Sequence, residues 1–334
     1  MRARVAVAIL ATAVLAAVAV GFALLSGAAR PAAPATPFTA SPTAPPASSP
    51  VTGLPAGPGV LVRGTAEGPE HGRLVVAGQG RRDVLALACV RAYVAGGTGV
   101  CLREEADAPG SYETVLFDAR LRETWSSPFA GVPSRARVSA SGRMVSWTVF
   151  VQGDSYSDAG AFSTRSGILD TRTGDVAGTL ETFAVTRDGR PYEAADVNFW
   201  GVTFAADDNR FYATMSTGGR TYLVEGDFAA RRVRTLRRNV ECPSLSPDGT
   251  RLAFKKPQPD GTWRPAVLDL ATMSETPLAE TRPVDDQPAW LDDRTVMYGV
   301  TRDARHSDVW AVPADGGGRA RLLVPDAESP APLG

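Results

Sequence analysis

The strongest constraint on the fold is a strand–turn–strand unit that recurs along the chain. Its clearest copy is LSPDGTRLAF at residues 245–254, where two short apolar runs flank a Pro-Asp-Gly turn. Degenerate copies occupy residues 94–102, 138–147, 204–212 and 290–298. Equivalent positions are separated by 44, 66, 41 and 45 residues. Three of these intervals match the roughly 40–50 residues of a four-stranded propeller blade.

A second strand pair follows the unit, at residues 167–175, 266–273 and 308–317. The long interval contains two polar insertions, at 152–164 and 186–195. Helical periodicity is almost absent outside the N-terminal segment. The sequence therefore predicts an all-β fold, a β-propeller of four-stranded blades, preceded by an N-terminal transmembrane or signal helix.

The unit at 245–254 resembles the WD40-like repeat of the TolB family of periplasmic propellers, and the resemblance extends to that family's propeller domain only. It implies six blades, of which five have a visible hairpin. The sixth blade would then be composite, with outer strands from residues 59–78 and an inner strand from 328–333. Such closure removes exposed sheet edges. Five or seven blades remain alternatives.

The N-terminal residues divide into two segments ahead of the propeller at 59–334. Residues 1–29 contain Arg2 and Arg4 before an uncharged apolar run at 5–25, long enough to cross a membrane as a helix of about 20 residues. This segment is either an uncleaved signal anchor or a signal peptide cleaved near Ser26. Residues 30–58 form a linker rich in Pro, Ala, Ser and Thr. We therefore expect a single-pass membrane protein with an extracytoplasmic C-terminal domain, or a secreted one.

The balance of charge limits the partners. Lys and Arg total 35 and Asp and Glu total 36, a formal net charge of −1. Nucleic-acid-binding domains usually carry a clear basic excess, so we expect no nucleic-acid partner. Membrane contact is expected through the N-terminal helix only, and the propeller is expected to be a monomer.

The three cysteines leave one question open. In an exported protein, the short spacing of Cys89 and Cys101 suggests a disulfide. A hairpin centred near Gly97 would place Cys101 opposite about Tyr93, with Cys89 too far along the strand to bond. The disulfide therefore requires the chain to fold back near residue 88. Cys242 is expected to be a buried thiol.

Residue patterns typical of catalysis are scarce. His71 and His306 both lie in polar loops, and the chain contains neither Gly-x-Ser-x-Gly nor His-Glu-x-x-His. Residues 154–160 alternate oxygen ligands as calcium loops do, but lack the bidentate glutamate. We therefore predict no catalytic residue, no metal site and no cofactor.

The most economical interpretation is a non-catalytic module that binds a protein or peptide of the cell envelope. In propellers the inner strands line a channel, and residues near the start of these strands surround its opening. The tryptophans follow the blade spacing and should pack between sheets, except Trp200, which follows an insertion. The candidate binding residues at the rim are Arg91, Asn198, Trp200, Glu241, Asp286 and Gln287. The alternative is a carbohydrate-active protein or another hydrolase or lyase, with carboxylates converging on the channel axis.

Overall fold

The computed structural model describes residues 51–55, 57–152 and 162–333. They form 26 β-strands and one short 3₁₀ helix, η1 (Leu180–Thr182). The first eleven strands are β1 (Gly59–Gly64), β2 (Arg73–Gly78), β3 (Arg81–Ala88), β4 (Arg91–Ala95), β5 (Thr98–Glu105), β6 (Ala108–Asp118), β7 (Glu123–Phe129), β8 (Val132–Val138), β9 (Met144–Gln152), β10 (Phe162–Asp170) and β11 (Val176–Ala177). The next eight are β12 (Ala184–Arg187), β13 (Arg190–Tyr192), β14 (Asn198–Phe204), β15 (Arg210–Thr217), β16 (Arg220–Asp227), β17 (Arg232–Arg238), β18 (Glu241–Leu245) and β19 (Arg251–Pro257). The last seven are β20 (Trp263–Asp269), β21 (Glu275–Pro277), β22 (Ala289–Asp292), β23 (Thr295–Thr301), β24 (Ser307–Pro313), β25 (Arg321–Val324) and β26 (Ala327–Leu333).

These strands form six sheets, the blades of a propeller. Blades 1 and 2 are β4–β7 and β8–β11, blade 3 contains β14–β17, and blades 4 and 5 are β18–β21 and β22–β25. Blade 6 has the order β26-β1-β2-β3. The predicted all-β, six-bladed propeller is therefore confirmed. The predicted N-terminal helix lies outside the described residues.

Blade 6 joins the two ends of the propeller chain, as the repeat count implied. β26 pairs antiparallel with β1, so Gly59 lies opposite Leu333 and Arg63 opposite Glu328. β3 completes the blade as its outer strand. The composite blade is thus confirmed, with its inner strand supplied by the C-terminal segment.

The core lies between the blades. Six clusters of buried apolar side chains occur, one for each pair of neighbouring blades. Between blades 5 and 6, for example, Met297 and Val309 pack with Val60 and Val62. Because both faces of most strands are covered, the strands contain continuous apolar runs instead of strict alternation. The filled interfaces on both sides of blade 6 show that the ring is closed.

Blade 3 is larger than predicted. No strand was predicted for the polar stretch at 186–195, but β12 and β13 form a hairpin that overlaps it. β12 then pairs in parallel with β17, which gives blade 3 six strands. The insertion at 152–164 falls largely outside the described residues, and so does the oxygen-rich stretch at 154–160.

The inner strands of the blades are β4, β8, β14, β18, β22 and β26. All six begin at the same end of the channel, which we call the mouth face. The opposite end, the turn face, carries the turns between the first and second strands of blades 1–5. Neighbouring turns contact each other there: Ser141 Oγ donates to Asp208 Oδ1 at 2.7 Å, and the Asp248 amide donates to Asp293 Oδ1 at 3.0 Å.

Cys89 and Cys101 form a disulfide in the structure, with their Cα atoms 5.5 Å apart. The expected register was wrong by one residue, because Cys101 lies opposite Ala92 and not Tyr93. Cys89 follows the end of β3 and precedes β4, so the chain changes direction there and the distance objection does not apply. The bond connects blade 6 to blade 1. Cys242 is a buried free thiol, as expected.

Residues that precede the first strand also contact the propeller. Val51 forms a parallel bridge with Leu85 of β3, and the Leu54 amide donates to the Ala119 carbonyl at 2.8 Å. Within the described part of the chain, no helix is both long and apolar enough to span a bilayer.

Candidate binding site at the channel mouth

The mouth face contains a cavity of about 430 Å³ between blades 4, 5 and 6. Blade 4 contributes Trp263, at the start of β20, and the loop before β22 contributes Asp285 and Asp286. The other charged residues of the wall are Arg282 in the same loop, Glu328 of β26 and Arg91, the first residue of β4. Since the inner strands all begin at this face, they bring residues distant in sequence to one opening. We call this space the mouth cavity.

Glu328 of blade 6 and Arg91 of blade 1 together connect three blades at the mouth. Its Oε1 atom accepts hydrogen bonds from Arg63 Nη1 at 2.9 Å and from Arg91 Nη1 at 2.8 Å. Arg91 Nε also donates to the Ser134 carbonyl of blade 2 at 2.8 Å. These ion pairs are partly buried, so they are less screened than pairs on the open surface. They hold Arg91 in a fixed position beside the cavity.

Trp263 is held from two sides. Its Nε1–H donates to Glu241 Oε2 at 2.9 Å, and the Lys255 ammonium lies 4.1 Å from the ring centroid. Lys255 in turn forms an ion pair with Asp285, whose side chain is 66% exposed. Burial raises the pKa of the Glu241 carboxyl, and the charge of Lys255 opposes this shift. The result is a half-buried indole beside an exposed carboxylate, a pair suited to an apolar group and a cation of one ligand.

Asp286 and Gln287 have mainly structural contacts. The Asp286 carboxylate accepts the amides of Gly299 at 2.9 Å and Gln287 at 3.0 Å. Gln287 is buried, and its Nε2 donates to carbonyls of the inner strands of blades 3 and 4, Val202 at 3.3 Å and Pro243 at 2.9 Å. Asp286 lines the mouth cavity, whereas Gln287 crosses the channel below it.

The channel is nearly filled beneath the mouth. Arg137 Nη2 donates across it to the Pro288 carbonyl at 2.9 Å, and the guanidinium lies 4.3 Å from the Tyr93 ring centroid. Beside these side chains lies a small cavity of about 20 Å³, which we call the throat. A polypeptide cannot thread through so narrow a passage, so a ligand of this channel would contact its mouth.

Asn198 and Trp200 lie apart from the mouth cavity. Asn198 Oδ1 accepts hydrogen bonds from Ser163 Oγ at 2.8 Å and the Thr164 amide at 3.1 Å. It lines a separate cavity of about 770 Å³ between blades 2 and 3, together with Glu181. Trp200 is half-buried. The structure thus brings Arg91, Asp286 and Glu241 to one region of the mouth face and places Asn198 at another.

The two histidines share a third cavity of about 710 Å³ on the mouth face, between blades 5 and 6. Both lie in loops, as expected, and the His306 Nδ1 atom is 2.9 Å from Asp303 Oδ1. Among the described side chains, neither imidazole lies within hydrogen-bonding distance of a hydroxyl or thiol. The same residues contain no cluster of three or more side chains arranged to hold a metal ion.

Sequence reasoning missed Trp263, Asp285 and Glu328. Trp263 was interpreted as an aromatic packed beside a plain turn, since a Pro-Asp-Gly-Thr-Trp segment indicates only the turn. Glu328 was placed correctly in the inner strand of the closing blade. Its position as the second residue of an inner strand was the signal that would have identified it as a mouth residue.

Six blades, closed by pairing between the terminal strands, define a β-propeller whose channel is narrowed beneath the mouth face. Among solved structures, TolB from Acinetobacter baumannii is similar to this chain, with a TM-score of 0.57 and 17% identity. The match covers 82% of this chain and 66% of the TolB chain, so this chain spans just under two thirds of that protein. The chain has the fold of a TolB-like propeller.

A second similar structure comes from the nidogen–laminin complex. It aligns with a TM-score of 0.53 and 10% identity, over 83% of this chain and 98% of the other. No protein-family model matches the sequence, and the search of curated proteins finds no match. At these identities the similarity establishes the fold alone.

Proposed function

We propose that this chain is an exported, TolB-like propeller that binds a peptide segment of a cell-envelope protein at the mouth cavity. The observation that carries the proposal is the pairing of Trp263 with the exposed Asp285 above a closed throat. Aromatic side chains held by a second polar contact are frequent anchors of protein interfaces. A cavity of about 430 Å³ suits a few side chains of an extended segment.

The proposed location rests on the sequence. The apolar run at residues 5–25, preceded by Arg2 and Arg4, would direct export and keep the N-terminus in the cytoplasm. In this proposal the propeller acts outside the cytoplasmic membrane, where the linker at 30–58 connects it to the helix. The propeller of the nidogen–laminin complex, itself part of a protein assembly, supports a protein partner for this fold.

One observation favours the alternative, an enzyme. The pKa of Glu241 is raised by burial, which is a property of catalytic acids. Against it, each carboxylate at the mouth already has protein partners: Glu328 has two arginines, Asp285 has Lys255, and Glu241 has Trp263. Replacing Glu241 by Gln keeps an oxygen acceptor for Trp263 Nε1–H but removes the ionisable group, so it should affect ligand binding little in a binding module and abolish turnover in an enzyme.

The chain offers a matched pair of positions for a cross-linking test. Thr250 and Thr262 both end a Pro-Asp-Gly-Thr turn, and in both turns the aspartate Oδ1 accepts from the threonine amide and hydroxyl. Thr262 lines the mouth cavity, whereas Thr250 lies on the turn face. A photoreactive amino acid at 262 of the full-length protein in membranes should give a discrete adduct, and one at 250 should not.

Trp263→Ala should remove that adduct and weaken binding of the captured peptide by roughly 30-fold or more, as for an interface anchor. Trp125→Ala, on the outer strand β7 away from the mouth, is the control and should change neither result. Equal adducts from positions 250 and 262, or binding unaffected by Trp263→Ala, would contradict the proposal.

A further inference from the structure

The throat contains a buried positive charge that lacks a carboxylate partner. Arg137 is the most deeply buried arginine of the described residues, with 4% of its surface exposed. Its contacts there are the Pro288 carbonyl and the Tyr93 ring, both uncharged. An arginine side chain cannot become neutral by losing a proton, because its pKa lies above about 12. A buried charge without compensation is strongly unfavourable.

Other cations near the channel are compensated directly, whether buried or partly exposed. Lys255, with 4% exposed, forms an ion pair with Asp285, and Arg282 pairs with the buried carboxylate of Glu280. Arg91 faces Glu328 at 2.8 Å. Arg137 is as deeply buried as Lys255 but, unlike Lys255, has no carboxylate partner among the described residues.

Two buried N–H donors without an acceptor indicate where a compensating negative charge would bind. Within the described residues, the buried Nε atoms of Arg135 and Arg137 have no hydrogen-bond partner. Both residues belong to β8 and both line the throat. Buried N–H groups are almost always paired, so an acceptor between these two would satisfy both.

The charge of the throat favours an anion over a neutral acceptor. Its wall contains Arg91, Arg135 and Arg137 and one carboxylate, that of Asp286. Both Asp286 oxygens already accept backbone amides, and the next carboxylate, on Asp285, lies 3.6 Å from Arg135 Nη2. Arg91 and Arg135 thus have counter-charges, and Arg137 supplies the unpaired charge.

We propose that the throat binds one small monovalent anion of the halide class, held by the Nε–H groups of Arg135 and Arg137. Its volume of about 20 Å³ corresponds to one particle about the size of water, which favours a single-atom anion over phosphate, sulfate or the carboxylate of a peptide. The anion neutralises Arg137 and stabilises the side chains that close the channel. This site is independent of the ligand proposed for the mouth.

Bromide provides a direct test on the wild-type propeller. Crystals grown in sodium bromide should show an anomalous peak within roughly 3.5 Å of both Nε atoms, at hydrogen-bonding distance. Replacing sodium chloride by sodium gluconate at constant ionic strength should lower the melting temperature. A water molecule in place of the peak, or a melting temperature that does not distinguish the two salts, would overturn the proposal.

Variants separate this site from general salt effects. Arg137→Met keeps much of the side-chain volume but removes the charge, so the difference between chloride and gluconate should disappear. Arg143→Met removes an arginine that already has a carboxylate partner, Asp170 at 2.5 Å, and should retain the full chloride effect. Loss of the chloride effect in both variants, or in neither, would contradict binding at the throat.

Discussion

Asp248 shows how single residues specify the turns of this fold. Its Oδ1 atom accepts hydrogen bonds from Ser246 Oγ at 2.5 Å, the Thr250 amide at 2.9 Å and Thr250 Oγ1 at 2.8 Å. The hydrogen bond from Ser246 is the main cause that lowers the pKa of Asp248 to about 2. The Ser-Pro-Asp-Gly-Thr sequence is therefore a network around one ionised carboxylate, and this explains why it marks the repeat.

Replacement of Asp248 by Asn should lower the free energy of unfolding by about 1 kcal/mol at pH 7, since the carboxylate is partly exposed to solvent. Its pKa is lower in the folded state, so its stabilisation is present above about pH 3.8 and lost as the pH falls towards 2. Urea unfolding at pH 7 and at pH 2.5 would measure the difference, which should shrink in acid. Asp107→Asn, in the exposed β5–β6 turn, is the control; an equal effect there would contradict the role of Asp248.

For single residues, the sequence predicted which side chains lie near the channel mouth better than it predicted which contacts they make. Arg91, Glu241 and Asp286 were predicted at the rim because polar residues precede the repeat units, and they lie on the mouth face. Gln287 was selected by the same rule, yet it is buried and binds backbone carbonyls. Asp286 and Gln287 lie in the loop before β22, and the repeat pattern does not indicate which side chains of such a loop point across the channel. Their binding roles remain predictions.

Among the elements, hairpins were the most predictable, because two apolar runs around a tight turn specify a local contact. The hairpin β12–β13 was not predicted, although its Asp188-Gly189 turn is a recognised signal. Both residues adopt positive φ, 51° and 77°. The flanking strands are short and polar, so the pairing of β12 with β17 supplies the stability. Each residue of β12 pairs with a residue of β17 that is 48 positions further along the chain, and the local sequence does not indicate this partner.

The disulfide connects β5 of blade 1 to the end of β3 in blade 6, beside the closure of the ring. Replacing both Cys89 and Cys101 by Ser should lower the free energy of unfolding by about 2–4 kcal/mol, since the bond restricts the unfolded chain. Urea unfolding with and without reductant tests this. The wild-type protein should lose that stability on reduction, whereas the variant should not respond; a variant as stable as the oxidised wild type would contradict a structural role.

For the whole molecule, the repeat predicted the propeller, whereas six blades and a composite closing blade were implied by the resemblance to the TolB family, with five or seven blades left as alternatives. Closure is what fills the sixth interface, because β26 and β1 both contribute to the clusters on either side of blade 6. The filling of the channel could not be predicted. The filling depends on hydrogen bonds that Arg137 and Gln287 make to backbone carbonyls of other blades. The spacing of the repeats does not predict these hydrogen bonds.

A chain ending at Asp326 lacks β26 and should unfold at a temperature lower by roughly 10 °C or more, because the ring is open and one blade has lost its inner strand. Differential scanning calorimetry would measure the shift. Addition of a peptide covering residues 327–334 should restore much of it by pairing with β1. A truncated chain that melts at the wild-type temperature would show that closure contributes little.

The register of blade 6 also determines where the chain enters the propeller. Gly59 lies opposite Leu333 at the turn-face end of these strands, and the preceding residues continue along the outside of β3 at Val51. The chain therefore enters the propeller along the outer edge of blade 6 and reaches β1 from the turn face. The described residues of the entry segment at 51–58 do not line the mouth cavity, so they leave that opening accessible to a partner.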